Sequence, residues 1–279
     1  MPADETAQFL EGLAKDLNSK KIALPSFPDV VIKIRSALED PTCTADRLAG
    51  VAKTDPVLVS RLLISANSAF HNRAGISIVD LNLAISRLGF EAVRNTAIAL
   101  AVEQIFNASK HSELRDRLKK LWSRSIALSS MCYVLARDKA QINADNAFLC
   151  GLLHGIGKLY ILTKAKDYPK MLGDEASLEK VLADWHPGIG KSIIESWGFP
   201  QEIADTMELA DNVRVAGDEA NLVDVVYTAI ALLDAPDDTL ARVPLSPAVA
   251  RVISSSESFD SIKDAYDQHA QSIRQSVGG

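Results

Sequence analysis

Apolar residues recur along this chain every three or four positions, and no stretch alternates cleanly with a period of two. The first spacing lines up side chains on one face of a helix, whereas the second would mark a strand. An all-α fold is therefore expected. In the first half the pattern predicts an amphipathic helix over residues 4–18, with Ala7, Leu10, Leu13, Ala14 and Leu17 facing inward. A second follows over 28–38, with Val30, Val31, Ile34, Ala37 and Leu38 on one face, after a connection that Pro25 and Pro28 make extended. Thr44 caps a short helix running to Lys53. Asp55-Pro56 is an N-cap carboxylate followed by proline at the first helical position, and it opens a helix that ends near Asn67. Ser77 and Asp80 have capping-box-like spacing for a helix that stops at Leu88-Gly89, and an alanine-rich helix covers 91–106.

The second half predicts one long helix over 111–138 and a central helix from Asn143 or Asp145 to about Lys166. A helix over 174–185 comes next, and His186-Pro187-Gly188 is expected to open a separate one. Further helices are expected from Pro200 through Leu209, over 221–233, from Ser246-Pro247, and over 257–277. Residues 107–112 and 213–220 read as loops, the first as a boundary between lobes. The chain so divides into an N-terminal helix (1–19), an N-terminal helical lobe (20–110), a second helical lobe (111–235) and a C-terminal helical extension (236–279).

The central helix contains the stretch Cys150-Gly151-Leu152-Leu153-His154-Gly155-Ile156-Gly157-Lys158-Leu159. A histidine inside an apolar helix is normally a core residue with satisfied hydrogen bonds, and that is the first reading of His154. Each glycine costs a helix roughly 1 kcal/mol relative to alanine. Gly151, Gly155 and Gly157 together predict that other backbone packs close to this one. Gly155-Ile156-Gly157-Lys158 lacks the spacing and the hydroxyl residue of a phosphate-cradling loop. No Ser-His-Asp or Cys-His arrangement is legible.

Composition narrows the partners. The 279 residues carry 36 acidic and 30 basic side chains, a net charge of −6, which does not suit a general binder of nucleic acid or membrane surface. Lys119-Lys120 and Arg115 with Arg117 form the densest basic cluster and read as a solvated helix face. Cys43, Cys132 and Cys150 show no metal-ligand spacing, and an odd count without an export segment suits the cytoplasm. No apolar run reaches the length of a membrane span. No cofactor is expected.

Four words along the first half, in order and spacing, resemble the HDOD family, the HD-related output domains of bacterial signalling. They are Leu24-Pro25-Ser26-Phe27-Pro28, Thr54-Asp55-Pro56-Val57-Leu58, Ala66-Asn67-Ser68-Ala69-Phe70 and Ala84-Ile85-Ser86-Arg87-Leu88-Gly89. Each word also has a structural reading: Asp55-Pro56 as a helix start, Asn67 as a C-cap or buried hydrogen-bonding amide, Gly89 as a positive-φ cap, Phe70 and Phe90 as core. The resemblance covers about residues 20–235. It implies a multi-helix architecture in which the N-terminal lobe packs on a degenerate relative of the HD phosphohydrolase bundle.

HD phosphohydrolases hold divalent metals through histidines and aspartates on several helices, and the metal acidifies water and neutralises phosphoryl charge. The resemblance places Arg124 where the first ligand histidine belongs, in Trp122-Ser123-Arg124-Ser125. It turns the His-Asp pair into His154-Gly155. It keeps a histidine as His186, puts Ala210-Asp211 at a His-His pair, and puts Ala229-Ile230 at the last aspartate, with Asp224 nearby on the same helix. The vestigial pocket is then Arg124, His154, Gly155, His186 and Asp211, with His154, His186 and Asp211 the remaining metal candidates and no catalytic residue assigned. Arg124 is expected at the former metal position, hydrogen-bonded to the remaining groups; an Arg124 turned to solvent would remove that idea.

The function expected from the resemblance is a non-catalytic signalling output or adaptor module that binds a protein partner through an exposed apolar patch, most favourably on the N-terminal lobe. HDOD domains often accompany signalling input domains, for which 279 residues leave no room, so an input in trans is expected. Two alternatives stand beside it. One is a residual metal-dependent phosphohydrolase or phosphodiesterase using His154, His186 and Asp211. The other is a module that binds a nucleotide or small anion without turnover, through Arg124 and the two histidines.

Overall fold

The computed structural model describes residues 5–19, 22, 27–107, 112–210, 218–235, 246–253 and 259–277, and every element among them is helical. Leu24, Pro25, Ser26, Asp211 and residues 213–217 of the second expected loop lie outside the described residues. The first helices are α1 (Glu5–Ser19), α2 (Asp29–Leu38), α3 (Ala45–Ala52), α4 (Pro56–Asn67), α5 (Leu81–Leu88) and α6 (Phe90–Asn107). Then come α7 (Ser112–Leu135), α8 (Ala144–Leu153), α9 (Ile156–Ala165), α10 (Pro169–Gly173), α11 (Glu175–Ser196) and α12 (Gln201–Leu209). The last are α13 (Leu222–Asp234), α14 (Pro247–Val252) and α15 (Phe259–Val277). Among the described residues no helix is long and apolar enough to cross a membrane.

The chain forms two compact units, each from two pieces of sequence. One comprises Met1–Leu24 and Phe106–Glu257, the other Pro25–Ile105 and Ser258–Gly279. The N-terminal helix therefore belongs with the second lobe of the chain. The last helix belongs with the first.

In the unit built from α2 to α6 and α15, local chemistry accounts for most helix ends. Asp55 caps α4 by accepting hydrogen bonds from the N–H groups of Val57 (2.9 Å) and Leu58 (3.1 Å), with Pro56 where no N–H is needed. Thr44 caps α3. The cap of α5 is Asp80 itself, which accepts from Leu83 N at 2.9 Å. Gly89 ends α5 with φ +83°, a conformation that glycine adopts without steric cost. Asn67 ends α4 and clamps the following loop. Its amide donates to the carbonyls of Leu63 (2.8 Å) and Ile78 (2.7 Å) and accepts from Ile78 N (2.8 Å). Arg87 donates to the carbonyls of Ala66 and Ile76 across the same loop. α15 packs on α4, where Ser272 donates to Ser68 at 2.8 Å and His269 meets the edge of Phe70 with centroids 4.8 Å apart.

The other unit is organised by close backbone crossings. A Cβ on Gly151 of α8 would lie 2.7 Å from the backbone of Leu128 and Ser129 in α7. A Cβ on Gly157 of α9 would lie 2.1 Å from the carbonyl oxygen of His186 and 2.9 Å from the nitrogen of Gly190, both in α11. These glycines are close-packing positions, as expected. α1 seals the outside of this unit: Phe9 packs edge-on to Tyr168 at 5.0 Å, and Asp16 is bonded by Lys164 and by the Tyr160 hydroxyl (2.5 Å). Burial opposes the Asp16 charge, but the bonds from Lys164 and Tyr160 outweigh it and hold the carboxyl below its ordinary range.

Three expectations change here. The central helix over 143–166 is broken, because α8 ends at Leu153 and α9 begins at Ile156. The two helices expected on either side of His186 are one, since α11 runs through Pro187. A proline inside a helix costs about 3 kcal/mol or more, and α11 offsets this by burying Leu178, Val181, Leu182, His186, Ile189, Ile193 and Ile194. The long helix α7 stops earlier than Asp138. It passes into a π-helical turn over Ala136–Ala140, which Gln141 ends in left-handed backbone.

Gly157→Ala is expected to lower stability by about 1–3 kcal/mol or more, as overpacking against backbone does. Gly50→Ala, at an exposed position of α3 with nothing within 4 Å of its Cβ, is expected to raise it by about 0.5–1 kcal/mol. Urea unfolding followed by circular dichroism separates the two.

Candidate functional site

The break between α8 and α9 builds the site. His154 and Gly155 form the turn, and the Gly155 carbonyl accepts from Leu159 N at 3.0 Å to start α9. α9 must leave the line of α8 here, because Gly157 one turn later is pressed against α11. A cavity of about 150 Å3 lies over this turn. α7 contributes Arg124 and Ser125 to its lining, the turn contributes His154 and Gly155, α9 contributes Lys158, and α13 contributes Ile230 and Asp234.

Arg124 does not point away from the pocket. Its guanidinium donates to Asp234 Oδ1 at 2.6 Å, with the two side chains 36% and 62% exposed. It lines the cavity, and its bonded partner is Asp234 and not one of the histidines. His154 is buried in the cavity wall. His186, in α11, is also buried, and its ring centroid lies 5.8 Å from that of His154. His186 does not line the cavity. Ala210 is buried at the end of α12, Ile230 lines the cavity, and Asp211 lies outside the described residues.

Asp224 faces elsewhere. It is fully buried and takes a two-pronged bond from Arg251, Nε to Oδ2 at 2.8 Å and Nη2 to Oδ1 at 2.5 Å. It also closes a capping box with Asn221 at the head of α13. That is a structural role.

Two observations bear on metal binding. A Cβ on Gly155 would lie 3.0 Å from Leu121 Cδ1 and 3.3 Å from Ser125 Oγ, so neighbours occupy the space where a side chain at 155 would begin. Among the described residues no three His, Cys, Asp or Glu side chains gather as a metal would require. The cavity lining holds one imidazole and one carboxylate, His154 and Asp234, beside a guanidinium and an ammonium, and the carboxylate is already bonded to the guanidinium. These donors do not fit a divalent cation of the HD type. Nor do the nearby thiols offer a nucleophile: burial pushes Cys132 well above its ordinary range and Cys150 up to about 12.

Sequence reasoning missed Lys158, Ser125 and Asp234 as members of this site. A signal was present for Asp234, which follows Ile230 by four and so shares its helix face. Lys158 follows His154 by four, but the intervening turn hides that relation.

The family model for the HDOD domain matches residues 24–213. The chain belongs to the HDOD family. Its fold is also that of several crystal structures. A Shewanella amazonensis SB2B protein, provisionally named a metal-dependent phosphohydrolase, is 24% identical with TM-score 0.76, covering 96% of this chain and 99% of its own. An HDOD domain protein with unknown function from Geobacter sulfurreducens is 21% identical with TM-score 0.68, covering 97% and 96%. A Marinobacter aquaeolei VT8 protein, provisionally named a signal transduction protein, is 20% identical with TM-score 0.67, covering 99% of this chain and 67% of its own. No curated protein matches the chain.

The Arg251–Asp224 and Arg124–Asp234 pairs should respond very differently to deletion. Arg251→Ala leaves a buried carboxylate without its partner and is expected to cost about 3–5 kcal/mol. Arg124→Ala breaks a solvent-exposed pair and is expected to cost about 1 kcal/mol or less. Thermal unfolding of both variants checks the ranking.

Proposed function

We propose that this HDOD chain is a non-catalytic signal-transduction output module that works by binding another protein. The observation that carries the reading is the lining of the cavity: Arg124 and Lys158 stand with a single described imidazole, Gly155 brings no carboxylate, and the one carboxylate present, Asp234, is bonded to Arg124. Without clustered imidazole and carboxylate, nothing among the described residues would lower the pKa of a bound water or offset phosphoryl charge through a metal. Three free cysteines, two of them buried, support a reducing cytoplasmic setting for the same module.

The unit that holds α2 to α6 supports the partner-binding half of the reading. Among the described residues the large apolar side chains left exposed are Ile32, Val57, Ile64, Ile76, Val79 and Leu83 in this unit, and Leu209 in the other. Val79 is 88% exposed. Ile76 and Val79 sit on the loop that Asn67 and Arg87 hold in place. A loop ordered before binding loses little further entropy when it docks, which favours such a surface as a contact.

The competing reading, a residual phosphohydrolase, makes His154 indispensable. On the non-catalytic reading, His154→Ala changes neither metal content nor the hydrolysis of generic phosphodiesters. Elemental analysis of untagged protein prepared without chelator, with the same assay on both proteins, checks this. Near-stoichiometric iron, manganese or zinc that disappears in the variant would overturn the reading.

The partner surface has its own test. Val79→Asp is expected to leave stability within about 0.5 kcal/mol, as exposed substitutions do. It should abolish co-purification of the partner retained by the unaltered chain. Retention of the same partner by Val79→Asp places the contact elsewhere.

A further inference from the structure

The basic cluster that reads as a solvated face in the sequence is not all surface. Beside the cavity at Arg124 lies a second, more open groove of about 270 Å3, lined by Arg117, Lys120, Leu121, Lys158, Glu179 and neighbouring leucines. Leu121 and Lys158 line both spaces, so the two adjoin. Together they present four cations, Arg117, Lys120, Arg124 and Lys158, against two carboxylates, Glu179 and Asp234. This local excess of positive charge occurs in a chain whose net charge is −6.

The state of each cation matters more than the count. Arg117 is paired with Glu175 and Glu179. Arg124 is paired with Asp234. Lys158 is half-buried and has no ion pair among the described residues, and Lys120 has none either. A half-buried ammonium between two cavities, with which no described residue pairs, is a receptor for negative charge.

We propose that this pair of cavities binds a phosphorylated small molecule, with one phosphoryl group between Arg124 and Lys158 and a second anionic group in the groove toward Lys120. Asp234 is the internal competitor, holding Arg124 until the phosphoryl group takes its place. Adjacency supports this division: the inner cavity and the open groove share Leu121 and Lys158, so a larger ligand continues from one into the other. The guanidinium fork suits phosphoryl oxygens, and Lys158 adds a point charge. This inference concerns the ligand of the cavity and is independent of which protein the module contacts.

Isothermal titration of the full chain with inorganic phosphate and with inorganic pyrophosphate tests it. Pyrophosphate should bind more tightly than phosphate, because only it reaches the groove. Asp234→Asn should tighten phosphate binding about two- to five-fold, the effect of removing one exposed ion-pair competitor. Arg124→Gln and Lys158→Gln should each weaken it on the order of tenfold, while Lys120→Gln should weaken pyrophosphate binding only. Unliganded melting curves of the variants establish that each is folded. Absence of binding by both anions at millimolar concentration would overturn the proposal. So would affinities unchanged in both Arg124→Gln and Lys158→Gln, which would place the anion elsewhere. Neither result bears on partner capture by the Val79 surface, so the two readings fail separately.

Discussion

The unit that carries the cavity depends on two places where helix backbones touch without a side chain between them. Gly151 lets α8 lie against α7 at Leu128 and Ser129, and Gly157 lets α9 lie against α11 at His186 and Gly190. Both contacts fall within one turn of His154. A single straight helix does not satisfy them together, so the chain bends at His154-Gly155 and the cavity opens over the bend. Interiors are packed too densely to absorb an added methyl at such crossings. The site geometry is thus a consequence of packing before it is a matter of chemistry.

The HDOD fold is found in crystal structures whose names range from phosphohydrolase to signal transduction protein, at identities from 20% to 24%. This chain places charges of both signs around the bend. Arg124 bonds Asp234 across the cavity, and Lys158 stands over it without a partner among the described residues. The buried Asp224–Arg251 pair a few turns away looks similar on paper but behaves differently. It is desolvated, two-pronged and tied into a helix cap, so it holds α13 to the segment around α14. The Arg124–Asp234 pair is wet and weak, which is the property an exchangeable partner requires.

The other unit shows the same economy with backbone groups. One side-chain amide, Asn67, makes three hydrogen bonds and fixes the approach to α5. A loop that would otherwise cost conformational entropy to order is held by side chains already committed to α4 and α5. Its exposed Ile76 and Val79 are therefore carried on an ordered loop.

The helices and most of their ends were legible in the sequence, because the signals are local. Periodicity marks a face, and Asp55-Pro56, Thr44 and Gly89 act on their own turn of backbone. The family was legible from the order of short words. What the sequence could not decide were features governed by partners far along the chain. The break at His154-Gly155 arises from the crossing with α11, and the continuity of α11 through Pro187 arises from what that helix buries. The return of α15 to α4 depends on a contact between Ser272 and Ser68 that no local pattern announces. The charge of the site also belongs here: Lys158 and Asp234 are ordinary surface residues by sequence. Only the tertiary structure brings them to Arg124, because a carboxylate 110 residues away in the chain has no local effect on a guanidinium until the helices pack.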